Sequence, residues 1–289
     1  MNRIVTANSP LWKKLISLTK PGIIGGNLLP MLAGFFMATH GKFDFILFPT
    51  LIGTICVIAS GCVFNNFIDR DIDPLMERTK NRLLAKKEFS LIGALIFGSI
   101  LGVVGLLALF SINVISGICG AIGLFVYVIL YSLFTKRNTV YSIHVGSISG
   151  AVPPLIGYVS IVGAIDLGGI LLFWILTLWQ MPHSFAISIF RAKDYAKVGI
   201  SSIVTKKGMF YTKASMLSYI ILFSIINASL TFFNFTGKVH FINATLLGIY
   251  WIYLAISGFK TQDDAKWGRK MFFTSIIVIT LSCITIGFF

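Results

Sequence analysis

The hydrophobic residues of this chain form long runs, and short polar segments separate one run from the next. A membrane-spanning helix needs about 20 mostly apolar residues, and nine runs have about that length. Backbone polar groups inside lipid must be hydrogen-bonded within their own segment, so such runs fold as helices. The pattern predicts an all-α polytopic membrane protein with spans at residues 22–39, 45–66, 90–110, 114–134, 140–162, 168–189, 213–235, 240–258 and 271–289.

The segments between these spans differ in length on the two sides of the predicted membrane. Those on the outer side are short, whereas the inner segments 67–89 and 190–212 are long. The runs leave no room for a soluble domain. We therefore expect residues 1–289 to form a single membrane domain and look for a functional site in the two long inner segments.

The basic residues predict the orientation of the chain. Of the 24 Lys and Arg residues, 22 fall before the first span or in the inner segments, and only Lys42 and Lys238 lie on the other side. Short loops rich in Lys and Arg remain in the cytoplasm. We expect a cytoplasmic N-terminus and, after nine spans, a C-terminus on the opposite side.

Composition excludes several other classes of protein. Hydrophobic residues make up 56% of the chain and charged residues only 12%, about half the charge of a typical soluble domain. The net charge of +14 comes from residues in the short gaps between apolar runs, which argues against nucleic-acid binding. The four cysteines lie in apolar segments without paired spacing, which argues against a disulfide scaffold.

A group of oxygen-bearing side chains lies at the inner end of the second span. Asn65, Asp69 and Asp73 are spaced four residues apart, which on a helix places them in one stripe, about 6 Å apart along the axis. Asp71 would lie on nearly the opposite face. Carboxylate and amide oxygens suit Mg²⁺, which usually completes its shell with phosphate oxygens and water. The alternative is that these acids balance nearby lysines.

Basic residues follow this stripe directly. Arg78, Lys80 and Arg82 lie within nine residues of Asp73, and cations beside carboxylates suit a complex of magnesium with a polyphosphate. Their alternative role is topological, because cytoplasmic loops of membrane proteins are basic in any case.

The sixth span contains a histidine within the membrane. His183 follows Pro182, which interrupts the helical hydrogen bonds and could direct the imidazole into a cavity. Ionisable residues inside membrane helices are candidates for function, although a histidine bonded to a neighbouring helix is the alternative. We expect His40 and His240 to lie in outer loops without a functional role.

These motifs together resemble the intramembrane prenyltransferases of the UbiA type, most closely the branch of that family that farnesylates haem. The resemblance extends over nearly the whole chain. It is carried by the segments Leu18–Ile23, Ala59–Asn66, Asp69–Asp73, Met76–Arg82, Tyr131–Ser132, Ser149–Gly157, Trp179–His183 and Phe190–Tyr195.

The resemblance implies a nine-helix bundle around a central cavity with a cytoplasmic cap, in the inner membrane of a bacterium, with a periplasmic C-terminus. It implies that farnesyl diphosphate and haem b react, with addition of water, to give haem o and diphosphate. A terminal oxidase or another haem-modifying enzyme would receive the product.

Individual roles also follow from the resemblance. Binding of Mg²⁺, the only cofactor implied, is assigned to Asn65, Asp69, Asp73 and Asp194. The same four residues are assigned the catalytic role. Diphosphate binding is assigned to Lys20, Arg78, Lys80, Arg82, Lys136, Arg137, Arg191 and Lys193. Haem binding is assigned to Trp179, Gln180, His183 and Tyr195.

One departure within the family favours haem over other acceptors. The branch that prenylates aromatic quinone precursors has a second Asp-x3-Asp motif, but here those positions are Arg191 and Tyr195. A prenyltransferase of quinone precursors is therefore the main alternative. A transporter would place acids at mid-bilayer depth, and a haem carrier without activity would not need the pair Asp69 and Asp73.

Overall fold

The computed structural model describes residues 8–192 and 203–288, which contain helices and turns but no strand. Nine helical segments in these ranges are long and apolar enough to cross a membrane. The number of spans and the all-α class therefore agree with the prediction. The spans are Pro21–Ala38, Leu47–Asp71, Leu91–Phe110, Val114–Thr135, Ser142–Val162, Leu167–Phe190, Met209–Phe232, Lys238–Lys260 and Asp264–Phe288.

Most of the predicted span ends fall within a few residues of the observed helix ends. The ninth span is an exception, because its helix begins at Asp264 rather than at residue 271. Polar first turns extend this helix beyond the apolar run that predicted it. In chain order the α-helices are α1 (Leu11–Thr19), α2 (Pro21–Ala38), α3 (Leu47–Ile68), α4 (Leu91–Phe110), α5 (Val114–Phe125), α6 (Ser142–Gly150), α7 (Val152–Val162), α8 (Leu167–Phe190), α9 (Ile203–Lys207), α10 (Met209–Phe232), α11 (Lys238–Ser257) and α12 (Asp264–Phe288).

The short helix α1 was not predicted, because nine residues are too few to cross a bilayer. It is amphipathic: Leu11 and Trp12 are exposed, while Leu18 is buried against the bundle. It ends at Lys20, whose φ of 54° is left-handed, a conformation that costs a non-glycine residue about 1–2 kcal/mol. Pro21 then begins α2. This turn directs the Lys20 side chain towards the bundle.

Two predicted spans depart from a regular α-helix. The fifth is divided at Ala151 into α6 and α7, because Pro153 and Pro154 lack backbone N–H groups and disfavour helix in the residues before them. The fourth begins as α5 and continues from Val126 to Thr135 as a π-helix. Such wide turns are frequent at functional sites.

Small residues let the helices approach closely. A Cβ atom on Gly157 of α7 would lie 2.0 Å from the carbonyl oxygen of Met31 in α2, and one on Gly34 would lie 2.1 Å from that of Pro154. Glycine is therefore required on both sides of this contact. Elsewhere α3 packs on α4, α8 packs between α10 and α12, and α12 returns to α2, which closes the bundle around its centre.

The expectation that His240 lies in an outer loop was wrong. It lies in the first turn of α11 and is fully buried. Its ring nitrogens are within hydrogen-bonding distance of Thr285 Oγ1 and of the Asn227 carbonyl oxygen, each at 2.9 Å. The histidine thus joins α10, α11 and α12 at the outer end, and both of its nitrogens have structural partners.

The segment between α3 and α4 forms a cap over the inner end of the bundle. It begins with two turns of 3₁₀-helix. Further along, Leu83 and Leu84 are buried in a small cluster with Leu18 of α1, Val63 of α3 and Ala94 of α4. This second core holds the cap in place and fixes the position of the basic residues it contains.

Candidate active site

Three elements meet at the side chain of Asn65, near the inner end of α3. Its Oδ1 accepts a hydrogen bond of 2.5 Å from Lys20 Nζ, and its Nδ2 donates to Ser132 Oγ at 3.1 Å. The Ser132 hydroxyl in turn donates to the carbonyl oxygen of Tyr127 at 2.8 Å, five residues back along the π-helix. Asn65 is buried, so these contacts fix its orientation.

Asp69 follows directly after α3 and is fully buried. One carboxylate oxygen, Oδ2, pairs with Lys136 Nζ. The other, Oδ1, accepts no hydrogen bond and lies 3.9 Å from Arg137 Nη2, beyond hydrogen-bonding distance. A buried carboxylate oxygen without a donor is costly unless a cation compensates it. This oxygen is therefore a candidate ligand for one.

Asp73 is also buried, with 1% of its surface exposed. Arg82 Nη1 donates to both carboxylate oxygens, at 2.9 and 2.7 Å. The Asp73 carbonyl oxygen accepts a hydrogen bond of 2.9 Å from Thr79 Oγ1. The cap therefore folds back on itself so that Arg82, nine residues later in the chain, neutralises Asp73.

The prediction of one continuous helical stripe was wrong, although its members are all buried. The α-helix ends before Asp69, and the following 3₁₀ turns carry Asp69 and Asp73. Pro74 lies in the second of these turns and has no N–H for an α-helical hydrogen bond. Asn65, Asp69 and Asp73 are buried, whereas Asp71 is exposed, as the helical spacing predicted.

Cations surround these carboxylates. Burial and repulsion from Arg82 and Lys136 together lower the pKa of Lys20 to about 7. The lowered pKa reports several positive charges in a small and poorly hydrated volume. A multivalent anion bound here would relieve the repulsion among them.

An apolar cavity lies deeper in the bundle, between α2, α3, α5, α6, α7 and α8. Its volume is about 260 Å³, and Thr54, Val57 and Gly61 of α3 line one wall at helical spacing. Tyr127 and Gln180 contribute polar groups to an otherwise mostly apolar lining. Because Gly61 precedes Asn65 by one helical turn, the cavity begins directly beneath the polar cluster.

The match to a family model decides the classification. Residues 27–277 match the model of the UbiA prenyltransferase family. The chain belongs to this family. Two relatives illustrate the similarity: protoheme IX farnesyltransferase 2 of Pseudomonas putida (strain GB-1) is 46% identical over 277 residues, 95% of this chain and 94% of that protein. Protoheme IX farnesyltransferase of Yersinia pseudotuberculosis (serotype O:1b) is 44% identical over 270 residues, 93% and 92% of the two chains.

Solved structures support the UbiA fold. A digeranylgeranylglyceryl phosphate synthase superposes with a TM-score of 0.80 at 16% identity, covering 96% of this chain and 97% of that one. A UbiA homologue from Archaeoglobus fulgidus, solved with GPP and Mg²⁺, gives a TM-score of 0.70 at 15% identity, covering 95% and 99%. The chain is therefore a multi-pass membrane protein with the UbiA architecture.

The residues of this UbiA protein fit a magnesium ion by their chemistry. Within residues 8–192 and 203–288, no three His, Cys, Asp or Glu side chains cluster as metal ligands. Asp69 and Asp73 nevertheless supply two buried carboxylates, and Oδ1 of Asp69 has no hydrogen-bond donor. One or two carboxylates are the usual protein share of a magnesium site that phosphates complete. The predicted ligand Asp194 lies outside the described residues, as do Lys193 and Tyr195.

The predicted diphosphate-binding cations do not all lie together. Arg82 and Lys136 contact the carboxylates as described, and Arg137 forms a two-pronged ion pair with Asp71 at 2.7 Å. Lys80 is at the surface, where it pairs with a neighbouring glutamate. Two others, Arg78 and Arg191, line a different pocket, so the described basic residues do not form a single diphosphate site.

This second pocket lies at the inner ends of α8 and α12. Its volume is about 510 Å³, twice that of the central cavity. We call it the arginine pocket. It is lined by Arg78, Ile187, Phe190, Arg191, Arg269, Phe272 and Phe273.

Among the residues predicted to bind haem, Gln180 is the one that lines the central cavity. Its Nε2 donates to the Leu176 carbonyl oxygen at 3.0 Å and to that of Ser147 at 3.3 Å. Gly150 makes room for it, because a Cβ atom there would lie 2.0 Å from Gln180 Oε1. The absence of a side chain at Gly150 therefore helps to position a cavity residue.

Trp179 and His183 instead face α12. Their rings stack with centroids 4.7 Å apart, and both bond to Ser275: Trp179 Nε1 donates to its carbonyl oxygen and His183 Nδ1 contacts its hydroxyl, each at 2.7 Å. Phe272 packs on the other side of the imidazole at 4.8 Å. Nδ1 of His183 is therefore bonded to a neighbouring helix, as in the structural alternative that the sequence left open.

Sequence reasoning missed several residues of the site. Ser132 and Tyr127 belong to a π-helix, which apolar periodicity does not reveal, and Ser275 is one of many serines in apolar spans. Arg269 was counted among the basic residues that set topology. The segment Tyr131–Ser132, which contributes to the family resemblance, was the indication in the sequence that Ser132 belongs to the site.

Proposed function

We propose that this chain is a protohaem IX farnesyltransferase, or haem O synthase, which joins the farnesyl group of farnesyl diphosphate to a vinyl group of haem b. Relatives at 44–46% identity carry that name. The observation that carries the proposal is the pair of buried carboxylates, Asp69 and Asp73, held among cations at the mouth of an apolar cavity.

The reaction has a simple balance of bonds. The bond between C1 of the farnesyl group and the diphosphate oxygen breaks, and diphosphate leaves with the electron pair. The outer carbon of the haem vinyl bonds to C1. Water then adds to the inner vinyl carbon and releases one proton, which gives the hydroxyethylfarnesyl group of haem o.

The polar cluster binds the diphosphate. Bound Mg²⁺, held by Asn65, Asp69 and Asp73 and by the predicted ligand Asp194, would neutralise charge on the leaving group. Lys20, Arg82 and Lys136 supply hydrogen bonds and positive charge to the phosphate oxygens. Donors aimed at developing charge are worth about 10²–10³ in rate each, so this cluster accounts for a large part of the catalysis.

The central cavity holds the farnesyl chain. Its apolar walls keep water from the allylic cation that forms when diphosphate leaves. The ring of Tyr127 lines the cavity beneath the cluster, where its electron-rich face can stabilise positive charge. The cavity thus provides both space for the prenyl chain and protection for the reactive carbon.

Location and orientation belong to the same proposal. We place the chain in a bacterial inner membrane as one membrane domain, with a cytoplasmic N-terminus and a periplasmic C-terminus. The uneven distribution of 22 of its 24 basic residues supports this orientation. The polar cluster then faces the cytoplasm. A terminal oxidase or a further haem-modifying enzyme would accept haem o.

The experiment uses purified protein in detergent with haem b, farnesyl diphosphate and Mg²⁺, and mass spectrometry of the extracted haem. We expect haem with an added hydroxyethylfarnesyl mass, abolished by EDTA and reduced at least 100-fold in Asp69→Asn. Asp71→Asn is the matched control, because Asp71 is exposed two residues away, and it should retain activity within about threefold.

Two results would contradict the proposal. If hydroxybenzoate is prenylated while haem b is not, the chain prenylates a quinone precursor. If haem binds but neither acceptor is prenylated, the chain carries haem without modifying it.

A further inference from the structure

The arginine pocket brings together basic residues from three separate parts of the chain. Arg78 comes from the cap, Arg191 follows α8, and Arg269 lies in the second turn of α12. The seven described residues that line the pocket include these three arginines and no acid. Three convergent guanidinium groups favour a ligand with more than one anionic oxygen.

The apolar wall of the same pocket is aromatic. Phe190, Phe272 and Phe273 line it, and the guanidinium groups of Arg191 and Arg269 lie 5.5 and 5.9 Å from the Phe190 ring centroid. Flat aromatic surfaces with cations at the rim match a planar aromatic ligand whose anionic groups are on one edge. A diphosphate with a flexible prenyl chain does not match this surface as well.

We infer that the arginine pocket binds the propionate edge of the tetrapyrrole, so that the two anionic substrates occupy separate sets of cations. This inference rests on the proposed function. It assigns Arg78 and Arg191 to haem instead of to diphosphate, and it adds Arg269 to the substrate site.

The volumes of the two pockets agree with this division. Ligand pockets usually measure about 300–1,000 Å³, and the central cavity, at about 260 Å³, is too small to hold a farnesyl chain and a tetrapyrrole together. The arginine pocket, at about 510 Å³, lies within the usual range. The tetrapyrrole therefore needs space outside the central cavity.

The position of the pocket on α8 orients the reacting group. Gln180 lines the central cavity and Ile187 lines the arginine pocket. Ile187 follows Gln180 by seven positions, which places both on one helical face about 10 Å apart along the axis. His183 lies between them. Protohaem has its propionates on one edge and its vinyl groups on the opposite edge, so carboxylates bound by the arginines direct the vinyl edge towards the central cavity.

The test compares Arg269→Gln with the matched control Lys270→Gln, its exposed neighbour on α12. Each full-length protein is titrated in detergent with haem b, and with haem b whose propionates are methyl esters, by haem absorbance without farnesyl diphosphate. Product formation then gives KM for both substrates. Arg269→Lys tests whether charge alone restores binding.

We expect Arg269→Gln to weaken haem b binding about tenfold, the effect of losing one charge-assisted hydrogen bond. The methyl ester should bind wild type about as weakly as haem b binds Arg269→Gln. The affinity for the ester should not fall further in the variant. The KM for farnesyl diphosphate should not change in Arg269→Gln. Lys270→Gln should bind haem b with the affinity of wild type.

Other results would overturn the inference. A higher KM for farnesyl diphosphate alone assigns the pocket to diphosphate. An equal loss for haem b and its ester means that Arg269 does not contact the propionates. If Arg269→Gln leaves the binding of haem b and of its ester unchanged, and anionic lipid occupies the arginine pocket, the pocket is a phospholipid site. If wild type makes no product but haem binding still depends on Arg269, the proposed reaction fails, whereas the assignment of the arginine pocket to the haem propionates is supported.

Discussion

The ammonium group of Lys20 donates a hydrogen bond of 2.5 Å to the side-chain oxygen of Asn65. The two residues are 45 positions apart, and the left-handed turn at Lys20 between α1 and α2 brings them together. The short helix α1 therefore helps to build the polar cluster, since it holds the chain where Lys20 can reach the end of α3.

Replacing Lys20 by methionine should weaken diphosphate binding selectively. We expect the KM for farnesyl diphosphate to rise about tenfold, because one cation is lost from a poorly hydrated anion site. The KM for haem b should be unchanged. Steady-state kinetics with each substrate varied in turn measures both, and Lys13→Met, on the exposed face of α1, is the control. An equal rise in both values would indicate that α1 had shifted.

The ion pair between Arg82 and Asp73 predicts an effect of magnesium on stability. Arg82→Ala leaves the carboxylate of Asp73 buried without its cation. Because Arg82 is partly exposed, we expect a loss of about 2 kcal/mol, below the 3–5 kcal/mol typical of fully buried pairs. Thermal unfolding in detergent should show that Mg²⁺ recovers part of the loss.

The control for this variant is Lys80→Ala, which breaks a surface pair with Glu77 and should cost less than about 1 kcal/mol. If magnesium has the same effect on Arg82→Ala and on wild type, Asp73 is not near the metal.

The depth of the central cavity predicts a limit on prenyl chain length. Thr54 lines its deep part, about 12 Å along α3 from Cys62. In Thr54→Phe the larger side chain fills this end. We expect kcat/KM for farnesyl diphosphate to fall at least tenfold, while that for dimethylallyl diphosphate changes less than threefold. Competition assays with both substrates measure the ratio.

Ile52→Phe is the matched control, because Ile52 is exposed on the outside of the same helix. Equal losses for the two substrates in Thr54→Phe, with a lowered melting temperature, would indicate damaged packing instead of a shortened cavity.

Adding one methyl group at the contact between α2 and α7 should destabilise the protein strongly. In Gly157→Ala the new carbon would meet the carbonyl oxygen of Met31 at 2.0 Å, so the helices must separate. We expect a loss of at least about 1–3 kcal/mol, the usual cost of overpacking, seen as a lower melting temperature in detergent.

Gly26→Ala on the same helix pair should instead be neutral or slightly stabilising, because nothing lies within 4 Å of the new carbon and alanine favours helix over glycine. A stable Gly157→Ala protein would contradict the close packing of α2 on α7.

The number, length and order of the spans could be predicted from the sequence, because the cost of unpaired backbone groups in lipid makes each long apolar run a helix. The location of Asp69 and Asp73 at the end of a span could be predicted for the same reason, since charges mark where a span ends. The breaks within spans were less visible. The division at Ala151 follows from two prolines, which can be read in the sequence. The π-helix before Lys136 has no comparable sequence signal.

The amino-acid sequence by itself determined the membrane class and the family, as well as the residues that could bear charge. It could not determine which of those residues meet. Lys20 meets Asn65, and Lys136 meets Asp69, because separate helices pack side by side, whereas Arg78 and Arg191 join Arg269 in another pocket. Neighbouring positions on α8 point about 100° apart, so Gln180 reaches the cavity while Trp179 faces α12. Contacts between distant segments depend on helix packing and rotation, and these are properties of the tertiary structure.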